Sequence, residues 1–113
     1  MTDIRIRKVQ GLYVVRAGGA VLGESENVLE LSEGKLAPVL YFPRGDIAMA
    51  FLDRSETTTH CPHKGDASYF SIITKSKTIA DVVWSYESPI ENVSEIREYL
   101  AFAESDEVAI EHL

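Results

Sequence analysis

Apolar and polar residues alternate in short stretches along the chain, and this period of two predicts β-strands. Ile4–Val9 alternates in this way. The runs Leu12–Ala17 and Ala20–Ser25 are rich in β-forming residues, and the pair Gly18-Gly19 separates them. Because the favoured two-residue turns need positive φ, this order predicts a β-hairpin.

The same criteria predict further short strands, separated by polar or proline-containing turns. The expected strands are Pro38–Pro43, Ile47–Phe51, Ala67–Ile73, Thr78–Tyr86 and Glu107–Glu111. Val28–Gly34 fits either a short strand or a helical turn, and Asp53–Glu56 is predicted to be a polar break between strands.

One segment, at about 89–101, predicts a helix. Ser88 as N-cap, Pro89 at the first helical position and Glu91 after them are typical of a capping box. Apolar residues then recur at spacings of three and four, as on one helix face: Ile90, Val93, Ile96 and Leu100. The sequence therefore predicts one mainly β (α+β) domain over 1–113, with roughly seven to nine short strands and one late helix.

Composition and charge narrow the classes of function. The 113 residues are 45% hydrophobic and 26% charged, as in one globular domain. Eleven basic and eighteen acidic residues give a net charge of −7. Such a surface repels nucleic-acid phosphates and anionic membranes, so we expect neither as a partner. A small basic patch could still hold one anionic ligand.

The cellular compartment follows from cysteine content and from apolar runs. A single cysteine excludes an internal disulfide. The start Met1–Arg7 is not followed by an apolar stretch of the signal-peptide type. No apolar run approaches the ~18 residues of a membrane span. These features favour a reducing cytoplasm.

The turn that runs from His60 to Gly65 carries the most reactive chemistry in the sequence. A thiol becomes nucleophilic when cationic groups stabilise its thiolate, and Cys61 has His60 before it and Lys64 soon after it. These three residues are the candidate catalytic residues. The alternative is a partly buried cysteine at a structural turn.

A metal or cofactor is not expected. A Rieske cluster needs a second cysteine, which the chain lacks. A structural zinc needs four ligands, and this turn offers at most three, from His60, Cys61 and His63. The chain also lacks a phosphate-cradling loop, a dinucleotide fingerprint and a Gly-x-Ser-x-Gly elbow.

Aromatic residues on the predicted strands suggest the wall of a pocket. Tyrosine and tryptophan join an apolar ring to a polar tip, which suits a ligand site, although most such rings are simply core. The candidate wall consists of Tyr41, Tyr69, Trp84 and Tyr86, with Lys64 and Arg44 available to hold an anion. Glu24, Glu26, Glu30 and Glu33 are expected to form a solvated face.

Three segments together resemble a known family. Tyr41-Phe42-Pro43 is followed by Asp46, Thr57–Gly65 is followed by Ala67-Ser68-Tyr69, and Trp84-Ser85-Tyr86 is followed by Pro89. In this order and spacing they resemble the bacterial and fungal family called domain of unknown function 427. The match extends over about 14–110. The family pattern falls here on Tyr41, Pro43, Asp46, Thr59, Cys61, Pro62, Lys64, Gly65, Tyr69, Trp84 and Tyr86.

The resemblance implies a β-tent-like fold, in which strands form two sheets around a central cleft. Many β-tent proteins hold zinc through paired cysteines, which this chain lacks, so zinc is not carried over. Labels of similar proteins mention nucleotidyl transfer, but no carboxylate pair is placed to hold magnesium. Similar proteins often have an aromatic residue at the position of His63, which leaves Cys61 and Lys64 as the better candidates.

Three classes of function remain open. The favoured class is a module that binds a small anionic or aromatic ligand in a cleft, with contacts from Tyr41, Arg44, Asp46, Thr59, Tyr69, Trp84 and Tyr86. The second is an enzyme with Cys61 as nucleophile, in which His60 or Lys64 lowers its pKa. The third is a structural or protein-binding domain. A homodimer is a further expectation, because edge strands in a small β domain need cover.

Overall fold

Antiparallel strands make up most of the structure, which is a computed structural model that describes residues 3–113. Met1 and Thr2 lie outside the described residues. Within 3–113 there are ten strands: β1 (Ile4–Lys8), β2 (Tyr13–Ala17), β3 (Ala20–Ser25), β4 (Leu29–Glu33), β5 (Val39–Tyr41), β6 (Leu52–Cys61), β7 (Gly65–Ile73), β8 (Thr78–Ser85), β9 (Ala101–Phe102) and β10 (Val108–His112). Short 3-10 helices lie at Arg44–Asp46, Met49–Phe51 and Glu91–Ile96.

The strands form three antiparallel sheets. The first sheet has the order β1-β4-β5, the second β10-β2-β3 and the third β6-β7-β8-β9. The prediction of a mainly β fold is confirmed, with three sheets where the resemblance implied two. The β2–β3 hairpin is also confirmed, and the ambiguous segment after Val28 forms strand β4.

The predicted helix at about 89–101 is wrong. Only Glu91–Ile96 is helical, as 3-10 turns with a kink at Val93, and no side chain caps the start. Glu98 then takes a positive φ of 64° and the chain enters β9. The apolar spacing has another cause: Val93, Ile96 and Leu100 are fully buried, and Leu100 exchanges two backbone hydrogen bonds of 2.8 Å with Phe42. No helix within 3–113 is long and apolar enough to span a membrane.

The predicted boundary before β6 is also wrong. Met49–Phe51 forms a 3-10 turn instead of a strand, and β6 already includes the supposed polar break at 53–56. Polar residues are tolerated there because β6 is an edge strand with a solvent-facing side. Arg54 lies 4.9 Å from the Phe70 ring centroid and is paired with Glu87 at 2.8 Å. A shift of register between Arg54 and Thr58 bends the strand.

Two hydrophobic clusters fill the interior. The main core contains Phe42 and Phe102, packed edge to face with ring centroids 5.7 Å apart. The second, which we call the cleft cluster, contains Tyr41 and Ala101. Neighbouring residues of a strand face opposite ways. Tyr41 of β5 and Ala101 of β9 therefore lie in the cleft cluster, and the residues that follow them, Phe42 and Phe102, lie in the main core. The Phe42–Leu100 bridge thereby joins the first sheet to the third between the two clusters.

Gly23 brings the second sheet close to the segment after β5. It forms an isolated bridge with Ile47, and the Ala48 amide donates to the Leu22 carbonyl at 2.7 Å. A Cβ atom on Gly23 would lie 2.2 Å from the Asp46 carbonyl oxygen. Backbone atoms cannot move away from such a contact as a flexible side chain can, so glycine is required at this position.

We therefore expect Gly23→Ala to lower the free energy of unfolding by about 1–3 kcal/mol through overpacking against the backbone. Gly45→Ala is the matched control, because no atom lies within 4 Å of its added Cβ. Urea denaturation followed by circular dichroism measures both variants. Equal stability of the two variants would contradict the proposed close packing.

Candidate functional site

A cleft of about 380 Å³ lies between the first and third sheets. Strands β4 and β5 form one wall, and β7, β8 and the β6–β7 turn form the other. Aromatic residues line it: Tyr41, Tyr69, Trp84 and Tyr86. Its charged lining residues are Glu33, Lys64 and Asp81, and its aliphatic ones are Leu31, Leu36, Ala37, Val39 and Ala103. A mostly apolar cleft of this size with a few polar groups is typical of small-molecule sites.

The β6–β7 turn directs Lys64 into the cleft. The Lys64 amide donates to the Cys61 carbonyl at 3.1 Å, and the Lys64 carbonyl accepts from the Ile90 amide at 3.0 Å. Gly65 has a φ of +111°, which residues with a Cβ rarely adopt. Its absent side chain faces Ser88–Ile90, with 3.5 Å between an added Cβ and the nearest atom. The turn is thus fixed by backbone contacts, leaving the Lys64 side chain to point inward.

Lys64 forms a largely buried ion pair with Glu33. The ammonium and carboxylate are 2.5 Å apart, and both side chains are only 12% exposed. Burial alone would lower the pKa of Lys64, but the hydrogen bond to Glu33 and the proximity of Cys61 raise it above its ordinary value. The prediction that Glu33 lies on a solvated face is wrong, because β4 turns this residue toward the third sheet.

The aromatic wall is held by contacts across strands. Tyr69 and Trp84 are paired across β7 and β8, with ring centroids 6.4 Å apart and planes tilted by 36°. The Trp84 indole N–H donates to the Tyr41 hydroxyl over 3.4 Å. The Tyr69 hydroxyl lies 3.1 Å from the Thr59 hydroxyl. Tyr69 and Trp84 are only half-buried, so part of each ring remains available to a ligand.

Tyr41 and Tyr86 form the deeper part of the wall, with exposures of 1% and 7%. Burial raises the pKa of the Tyr41 hydroxyl, and burial together with the nearby Tyr41 raises the pKa of the Tyr86 hydroxyl. Both phenols are therefore protonated at neutral pH and can donate hydrogen bonds.

The structure keeps Cys61 beside Lys64 and turns His60 away from both. Cys61 is half-buried, packs against the cleft cluster and lies within hydrogen-bonding reach of Lys64. The His60 ring projects to the other side of β6, where its Nδ1 lies 2.7 Å from an Asp66 carboxylate oxygen. Lys64 is thus the member of the trio that lines the cleft. His63 borders a separate pocket on a different surface, with Pro62 and Asn92. Within 3–113, no three histidine, cysteine or acidic side chains are grouped as a metal site requires.

Arg44 and Asp46 lie outside the cleft lining. Arg44 donates to the Ser85 hydroxyl and to the Glu98 carbonyl, each at 2.9 Å, and forms an ion pair with Glu87 at 3.1 Å. Asp46 accepts a hydrogen bond of 2.6 Å from the Ser25 hydroxyl. These contacts fasten the segment after β5 to the neighbouring elements. Both side chains are engaged there and do not line the cleft.

Sequence reasoning did not find two of the charged lining residues, Glu33 and Asp81. The sequence places Glu33 among other acidic residues, and only the pairing of β4 with β1 and β5 shows which way it faces. Asp81 had a signal, because a carboxylate within the apolar run Ile79–Trp84 is unusual for a strand.

The fold and the cleft define a small, mainly β domain with an aromatic cleft between two antiparallel sheets. The chain belongs to the family described as Domain of unknown function (DUF427), whose model matches residues 5–112. The family assignment made from the sequence motifs is therefore confirmed. A search of curated proteins gave no match.

Removing one partner of the Lys64–Glu33 pair should destabilise the fold, because the other charge stays buried without compensation. We expect Lys64→Met or Glu33→Gln to lower the free energy of unfolding by about 2–4 kcal/mol, and the double variant to lose less than the sum. The control Arg7→Met breaks the more exposed Arg7–Glu30 pair and should cost less than about 1 kcal/mol. Urea denaturation of the four variants tests this, and equal losses for Lys64→Met and Arg7→Met would contradict it.

The raised pKa values of Lys64, Tyr41 and Tyr86 predict a loss of stability in alkali. The folded protein holds these protons more tightly than the unfolded chain, so their contribution is fully present below the ordinary values of 10.0 for tyrosine and 10.5 for lysine. This contribution to stability is lost as the pH rises through the pKa values that these groups have in the folded protein. We expect Tyr86→Phe to lose less stability than the unsubstituted protein over the same rise in pH. Identical slopes in urea denaturation would show that Tyr86 keeps an ordinary pKa.

Proposed function

We propose that this domain binds a small, flat and largely apolar molecule in the cleft between its first and third sheets. The observation that carries this proposal is the cavity of about 380 Å³ in which partly exposed aromatic rings and a buried ion pair meet. Ligand sites usually combine an apolar lining with a few polar groups that fix orientation. The pair formed by Lys64 and Glu33 provides such groups here.

The rim of the cleft supplies further apolar contact area. Leu36 is 67% exposed, although it is a large aliphatic side chain that lines the cleft. It follows a turn in which its amide donates to the Glu33 carbonyl at 3.0 Å. A ligand lying on Trp84 would remove part of Leu36 from water, which stabilises the complex by about 25 cal/mol for each Å² of apolar surface buried.

The charges at the deep end favour a polar but uncharged group of the ligand. Glu33 neutralises Lys64, so the pair has no net charge to hold an anion. An ammonium group has three N–H donors, and a carboxylate accepts more than one hydrogen bond. The hydroxyls of Tyr41 and Tyr86 add donors nearby. An amide, carbonyl or hydroxyl group of the ligand finds partners there, so an aromatic ligand is favoured over a purely anionic one.

The test uses Trp84, the single tryptophan of the chain, as the reporter. Small aromatic amides, alcohols and amines are titrated into ¹⁵N-labelled protein while the indole N–H resonance is followed. We expect members of the set to shift this resonance in a saturable way. Ala103→Phe should weaken their binding at least about fivefold, because the added ring fills part of a pocket that depends on close contact.

Ala109→Phe is the matched control, because Ala109 is an exposed alanine on β10, outside the cleft lining. It should bind the same compounds with unchanged affinity. Shifts confined to other surfaces, or equal weakening by both substitutions, would refute the cleft as the binding site. A set that leaves the indole resonance unchanged throughout would refute the proposal as a whole.

A further inference from the structure

Asp81 adopts a strained conformation in the middle of β8. Its φ is 53°, in the left-handed region that residues with a Cβ rarely adopt. Ile79 pairs with Ile72 and Val83 pairs with Phe70, so three residues of β8 lie opposite Ser71 alone. In an uninterrupted strand Asp81 would share the inward face of Ile79 and Val83. The left-handed turn instead leaves its carboxylate exposed and on the cleft lining.

The Asp81 carboxylate is held in place by neutral groups. The Thr57 hydroxyl donates to it at 2.8 Å, and its own amide donates to the Ser71 hydroxyl at 3.1 Å. Hydrogen bonds from Ser55 and Thr57 keep the pKa of Asp81 below its usual range. None of the ion pairs within 3–113 includes Asp81. Its negative charge is oriented but uncompensated.

The cleft therefore has a net negative lining. Glu33 and Lys64 cancel each other, and Asp81 remains. Tyr69 and Trp84, whose rings are partly exposed, line the same cleft. Aromatic faces attract cations through their quadrupole, most strongly for tryptophan. The chain as a whole carries a charge of −7, which adds to the attraction for a positive ligand.

We infer that the ligand of this cleft is a small organic cation, an amine or quaternary ammonium whose nitrogen lies between the Asp81 carboxylate and the faces of Tyr69 and Trp84. This inference rests on the proposed function and defines its ligand class. The strain at Asp81 is consistent with it, because backbone strain within a strand is retained where the surrounding structure fixes the residue, as at many ligand sites.

Three probes of nearly equal size and shape separate charge from shape: benzylamine, benzyl alcohol and benzoate. Each is titrated into ¹⁵N-labelled protein with the Trp84 indole N–H as reporter. We expect benzylamine to bind about three- to tenfold more tightly than benzyl alcohol, because a partly exposed cation–π contact and one carboxylate stabilise its ammonium group by this amount. Benzoate should bind most weakly. Asp81→Asn should remove most of the advantage of benzylamine and leave benzyl alcohol unchanged. Asparagine suits the test because it tolerates a positive φ.

Asp106→Asn is the matched control, because it removes one negative charge from an exposed residue outside the cleft lining. It should leave all three affinities unchanged. Benzyl alcohol binding as tightly as benzylamine would overturn the inference and leave the cleft as a site for neutral molecules. Three probes that all fail to shift the indole would overturn the proposed function as well. The ranking of probes on the unsubstituted protein decides between these outcomes even if Asp81→Asn fails to fold.

Discussion

The ion pair between Lys64 and Glu33 is the interaction on which the cleft depends. Glu33 ends β4 in the first sheet, and Lys64 lies in the β6–β7 turn of the third sheet. Two largely buried charges are tolerated only when they meet, so the turn and the strand cannot move apart independently. The spacing of the aromatic walls is thereby fixed at one end of the cleft, while the Phe42–Leu100 bridge joins the same two sheets through the backbone.

The residues that resemble the family pattern fall into two groups in space. Tyr41, Lys64 and Trp84 face the cleft. Asp46 and Gly65 act from outside the cleft, because the Asp46 carboxylate fastens the segment after β5 and Gly65 permits the turn that carries Lys64. Side chains that are separated in sequence thus serve one purpose: some form the surface of the cleft, and the others hold those residues in position.

Local patterns in the sequence were sufficient for most of the strands and for the aromatic wall, because alternation and hairpin signals depend on neighbouring residues. They failed where distant contacts decide. The apolar spacing through Leu100 imitates a helix, yet pairing with Phe42 draws the chain into a strand. The direction of Glu33 depends on which strands flank β4, and the exposure of Asp81 depends on a change of register with β7. No window of adjacent residues contains that information.

Strand β9 and the residues at the end of β5 have a consequence for how such a domain can diverge in evolution. Along each, one residue faces the main core and its neighbour faces the cleft cluster, as with Phe42 and Tyr41, or Phe102 and Ala101. Alternate positions are therefore under different selective pressures. Substitutions on one side can reshape what the cleft accepts, while the other side preserves the fold. Two relatives could share a backbone and a main core and still recognise different molecules.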